Sequence, residues 1–195
     1  MKKTAAILAA FVLLAGVFCG GGEKKPEATQ TTQPAAAAAN VPAGYPAEAF
    51  AELTKPELDK YVKALPTVAE VLKKAAFKPT ASDQPDIVGD LGKTVEGMMA
   101  VAGVDKAITD AGTTVPEFRA TTYKVMATNA ALAMGLAEAM MGGMDAQGAD
   151  KDKVEQAKAE IAKAKAVFDQ VPKANQALIM EYSEQLKPID ELGNE

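Results

Sequence analysis

Six methionines are the side chains in this chain best suited to hold a soft metal. Met134, Met140, Met141 and Met144 crowd one stretch beside Gly142-Gly143, and Met98 and Met99 sit on another predicted helix. Thioether sulfur is a soft ligand, and three such groups can take Cu(I) where a chain has no histidine to offer. Methionine at helical spacing also fills irregular cores, which is the plainer reading of the same residues. A Met-lined groove for a partner helix or a lipid is a third.

The carboxylates offer less. Glu96 and Glu138 fall in the most apolar helical segments, where burial would raise a carboxyl pKa toward the range used in general acid or base chemistry. An exposed helix face, or pairing with Lys106 or Arg119, is the alternative. Asp83, Asp86 and Asp90 crowd a helix start and could attract Ca²⁺, although acidic residues in a first turn complement the helix dipole without any ion. The stretch from Asp145 to Glu155 lacks the ligand order and the sixth-place glycine of a calcium loop. Arg119, the lone arginine, with Tyr123 beside it could bind an anion, but nothing in the sequence converges on the pair.

Composition removes whole classes of chemistry. With no His and a single Cys, histidine triads, His- or Cys-based zinc sites, C-x-x-C-H haem attachment and internal disulfides are excluded. The chain therefore reads as non-enzymatic, with no cofactor. Its net charge is -5, and losing Lys2 and Lys3 with an N-terminal signal leaves 19 basic against 26 acidic residues, or -7. Nucleic acid is not an expected partner of so acidic a chain.

Met1 to Thr4 carries two lysines, and Ala5 to Phe18 is uncharged and apolar. That run is shorter than the roughly 20 apolar residues a spanning helix needs, and it matches an export signal. It ends in Leu13-Leu14-Ala15-Gly16-Val17-Phe18-Cys19-Gly20-Gly21-Gly22. This end resembles a bacterial lipoprotein signal sequence with its lipobox and acceptor cysteine. The resemblance implies a signal peptide over 1–18, a lipid on Cys19 and a membrane-anchored protein of the cell envelope. Phe18 stands where lipoboxes carry a small residue. Ordinary cleavage near Gly21 or Gly22, leaving a soluble secreted protein, is the alternative.

Residues 19–46 hold glycines, Thr/Gln pairs, the tract Ala35 to Ala39 and several prolines, with little to bury, and read as a tether. A folded domain is expected over 47–192, with 193–195 as a tail. Aromatic residues make up only 5% of the chain and Trp is absent, so its core must use small and flexible side chains, a composition that favours helices over strands.

The helices follow from periodicity and punctuation. Thr54-Lys55-Pro56-Glu57 is a capping box that starts a helix with Leu58, Tyr61, Val62 and Leu65 on one face; Pro66 should break it, and a second helix should run to Phe77. Pro85 opens a helix carrying Ile87, Leu91, Val95, Met98 and Ala102, ended by Gly103. A short helix over Val104 to Ala111 stops at Gly112. Thr114-Val115-Pro116-Glu117 repeats the capping chemistry before the longest pattern, Val115 to Met141, with Gly142-Gly143 as its stop.

Phe118, Val125, Leu132, Leu136 and Met140 form the large stripe of that helix, and Ala127, Ala131, Gly135, Ala139 and Gly143 a small one suited to close packing. Asp150 caps a helix with Val154, Ala157, Ile161, Ala164, Phe168 and Val171 inward. A last helix spans Lys173 to Leu186 with Leu178, Ile179, Tyr182 and Leu186 inward, and Pro188 begins the tail. The expected fold is an all-α, antiparallel bundle, up-and-down or slightly irregular, of about six or seven helices. The expected role is a non-enzymatic module that binds an envelope protein or an apolar ligand.

Overall fold

Seven α-helices and one 3₁₀ turn make up the described residues of the computed structural model, which are 46–80, 87–144 and 151–191. Cys19, the signal and tether, Asp83, Asp86 and the 145–150 stretch with Asp150 lie outside them, as do the side chains of Met140, Met141 and Met144. The turn covers Ala47–Phe50, and the helices are α1 (Lys55–Lys74), α2 (Ile87–Met99), α3 (Val104–Asp110), α4 (Val115–Met144), α5 (Lys151–Phe168), α6 (Lys173–Glu181) and α7 (Ser183–Glu191). No strand occurs among the described residues, and the fold is the expected all-α bundle. Its axis is α4, which packs against the turn and against α1, α2, α3, α5 and α6.

The two capping boxes form as the sequence predicts. The Thr54 amide donates to Glu57 Oε2 at 2.8 Å while the Glu57 amide donates to Thr54 Oγ1 at 3.4 Å. Thr114 and Glu117 repeat this at 3.1 and 3.3 Å. Each box satisfies amides that a helix start otherwise leaves without partners. The far end of α1 closes as a Schellman motif: Phe77 N–H reaches Leu72 O and Ala76 N–H reaches Lys73 O, both at 3.0 Å. Ala76 occupies the left-handed position, at φ 50°, where glycine is usual.

Several punctuation marks act differently from their sequence reading. Pro66 does not break α1, which runs on through it. The ring sits on the exposed face, while Tyr61, Leu65, Val68 and Leu72 bury one continuous face on both sides, so packing holds the helix across the missing N–H. Gly103 does not end α2, which stops at Met99; at φ 94° it is the N-cap of α3. The Gly142-Gly143 pair does not stop α4, which reaches Met144. The expected Lys173–Leu186 helix is two helices that part at Tyr182, and Pro188 lies inside α7 rather than beginning a tail.

Two core clusters result. The first joins α1, α3, the start of α4 and α6–α7 around Leu58, Leu65, Ile108 and Leu186, with the Tyr61 and Phe118 rings 4.7 Å apart between centroids. The second joins the 3₁₀ turn, α2, α4 and α5 through Ala49, Val95, Ala127, Ala164 and Phe168. Buried threonines on α4 do not break the apolar surround, because Thr121, Thr122 and Thr128 donate to carbonyls four residues back at 2.9, 2.8 and 2.7 Å.

Candidate functional site

The carboxylates singled out by the sequence do not converge. Glu96 Oε1 accepts from Tyr123 Oη at 2.7 Å and from Arg119 Nε at 3.0 Å, with a further Arg119 nitrogen also bonded. Glu138 lies 15 residues beyond Tyr123 on the same helix, about 22 Å along the axis at the helical rise. Its side chain is 62% exposed, and its nearest cation is Lys165 at 4.0 Å.

The expectation of a raised Glu96 pKa is also overturned. Burial pushes it up, but the hydrogen bonds from Tyr123 and Arg119 outweigh that and hold it below the ordinary carboxylate range. Tyr123 is pushed up to about 12, by burial first and by its bond to Glu96 next. The trio is a closed ion-pair network, with both charged side chains about half exposed. Arg119 is thereby satisfied internally, and Lys106 pairs with Asp110 rather than with Glu96.

Of the methionines, Met134 is buried in the second cluster and Met98 in the first, with Met99 packed against the first. The side chains of Met140, Met141 and Met144 lie outside the described residues. Asp90 stands in the first turn of α2, 3.5 Å from Lys93, as a residue complementing the helix start. Among the described residues no three His, Cys, Asp or Glu side chains gather as a metal site, and no helix is long and apolar enough to cross a membrane.

A shallow, half-open hollow lies where α4, α5 and α6 meet. It encloses about 240 Å³, with Leu132, Met134 and Phe168 along its wall and Glu138, Lys165, Asp169 and Gln176 also lining it. Lys165 sits between two carboxylates, 3.1 Å from Asp169 and 4.0 Å from Glu138. The Asp169 hydrogen bond is the main reason its pKa is raised. The mouth thus carries one net negative charge.

Gly135 lies in the lining with no heavy atom within 4 Å of where a β-carbon would stand. The small stripe of α4 therefore divides: Ala127 is fully buried, while Gly135 faces open space. The large stripe divides too. Phe118 and Val125 are buried, but Leu136 is 38% exposed. On α6, Met180 is also exposed.

Two buried polar residues escaped sequence reasoning. Lys124 keeps only 8% of its side chain exposed and pairs with Glu57 at 2.8 Å. Asn175 is fully buried. The signal for Asn175 was present: carried back one turn, the stripe of Ile179, Tyr182 and Leu186 lands on it, a polar residue at an apolar position. Lys124 has no such signal, because α4 is covered on several sides and has no clear polar face.

No protein family, no curated protein and no solved structure matches this chain.

Proposed function

We propose that the chain is a bacterial envelope lipoprotein, lipidated at Cys19, whose helical domain is a non-enzymatic docking module for another envelope protein. The hollow between α4, α5 and α6 is the docking point. The observation that carries this reading is its build: a lining in which charged and polar groups outweigh the apolar surface of Leu132, an open Gly135, and the exposed Leu136 one residue on from that glycine. At about 240 Å³ it is smaller than the roughly 300–1,000 Å³ of pockets that enclose a whole small molecule. A single side chain presented by a protein suits that volume better than a free ligand does. A basic neighbour of that side chain would meet the net negative mouth.

A photo-crosslinking residue placed at Leu136 in intact cells tests the docking point. It should yield one reproducible protein adduct that the same probe at exposed Lys63 does not give. Identical adduct patterns at both positions, or none at Leu136, would remove the hollow as the docking point. Radiolabelled palmitate incorporation with fractionation tests the anchor separately: the wild type should be labelled and sediment with membranes, and Cys19→Ser should do neither.

A further inference from the structure

The two polar residues buried against expectation turn onto the same short segment. Asn175 Oδ1 accepts the Leu53 N–H at 2.8 Å, and its Nδ2 donates to the Ala51 carbonyl at 3.0 Å. Lys124 Nζ donates to the Glu52 carbonyl at 3.0 Å as well as to Glu57. Three consecutive residues are thus gripped through their backbone by side chains from α6 and α4. Irregular segments at a domain edge ordinarily give these groups to water. Here buried side chains serve them, and a buried polar group left without a partner is costly.

Apolar contacts reinforce the grip. Leu53 is inserted in the first core cluster and Ala49 in the second, both essentially without exposure, so this segment joins the two. The capping box of α1 closes between Thr54 and Glu57 Oε2, and Lys124 bonds the other oxygen of Glu57 while it grips Glu52.

We propose that residues 46–54 are a clasp that fixes where the preceding chain leaves the bundle, on the wall of α4 and α6 rather than at the start of α1. A pull from the N-terminal side is then shared by those two helices and does not fall on the first turn of α1 alone. If that chain is a lipid-bearing tether, as proposed above, the clasp also sets the pivot of the bundle, on the same helix, α4, that lines the hollow. The clasp itself needs no lipid.

The test uses the full chain in a Cys19→Ser background, with spin labels at Pro46→Cys and Lys74→Cys. The distance distribution should be narrow. It should broaden on Asn175→Ala or Lys124→Met, with helix content kept, and exchange of the Leu53 amide should speed up by roughly tenfold or more while that of Val125 holds. A broad distribution before either substitution, or a Leu53 amide exchanging at the unprotected rate, would overturn the clasp. So would both variants leaving both readouts unchanged. Should Asn175→Ala fail to fold, the unsubstituted distribution and Lys124→Met decide, and neither depends on whether Cys19 carries a lipid.

Discussion

Around α1 the buried side chains are large and interlocked, whereas between α4 and α5 they are small and leave space. The first cluster holds Leu58, Leu65, Leu72, Ile108 and the tilted ring pair Tyr61 and Phe118, nearly all without exposure. The second sets Ala49, Ala127 and Ala164 beside Val95, Tyr123 and Phe168, its Leu91 and Met134 keep some exposure, and Met134 and Phe168 line the hollow. Dense packing makes every methylene in the first region count. In the second, a short-chained core leaves a place a partner can fill. A chain poor in aromatics fills the first cluster with leucines, and the candidate site lies against the second.

The sharpest way to break this contrast is to truncate one residue in each region. Phe118→Ala should lose about 3–5 kcal/mol in chemical denaturation, while Met134→Ala, beside space that already exists, should lose about 2 kcal/mol or less. Equal losses would erase the distinction. Next in size, Thr114→Ala should cost about 1 kcal/mol by opening the capping box that starts α4 beneath Phe118.

Adding a methyl group sharpens the same contrast with opposite sign. Gly135→Ala meets no neighbour within 4 Å and should raise stability by about 0.5–1 kcal/mol through helix propensity alone. Gly97→Ala should gain less, since its β-carbon would lie 3.3 Å from the Phe77 ring and push it. Thermal melts of the two variants side by side give the order. Ala76→Gly should add about 0.5 kcal/mol by relieving the left-handed residue that closes α1.

The smallest effect is one of pH. The Glu117 side chain is held at about 2, chiefly by the Thr114 hydroxyl and amide and then by Lys60. A carboxyl depressed in the folded state stabilises it above the unfolded pKa and loses that contribution as pH falls. The melting temperature should therefore drop between about pH 4.5 and pH 2. Glu117→Gln should remove part of that slope, and added salt should shrink it, because the Lys60–Glu117 pair is half exposed.

Much of the fold was legible because its signals are local. Both capping boxes, the faces of α1 and α2 and the stop at Gly112 follow from residues within a few positions of one another. Pro66, Pro188 and Gly142-Gly143 misled because burial on either side, or simple continuation of the backbone, can override a local breaker, and only the tertiary arrangement reveals that.

The hollow was half legible. Its glycine and methionine stood out in the small stripe and the Met cluster, but the face of α4 left uncovered depends on where α5 and α6 end. The clasp was least legible, since Asn175 and Leu53 are 122 positions apart and neither carries a local hint of the other.

Amide exchange read along α4 by NMR tests the central contrast most directly, because that helix runs from a stretch buried between both clusters to the hollow. Amides of residues 121–128 should open only with the whole domain, while those of 133–138, beside the hollow, should exchange at least roughly tenfold faster through local opening. Uniform protection from one end of that span to the other would contradict a tight end and a loose end, and with it the reason for placing the docking point at Gly135.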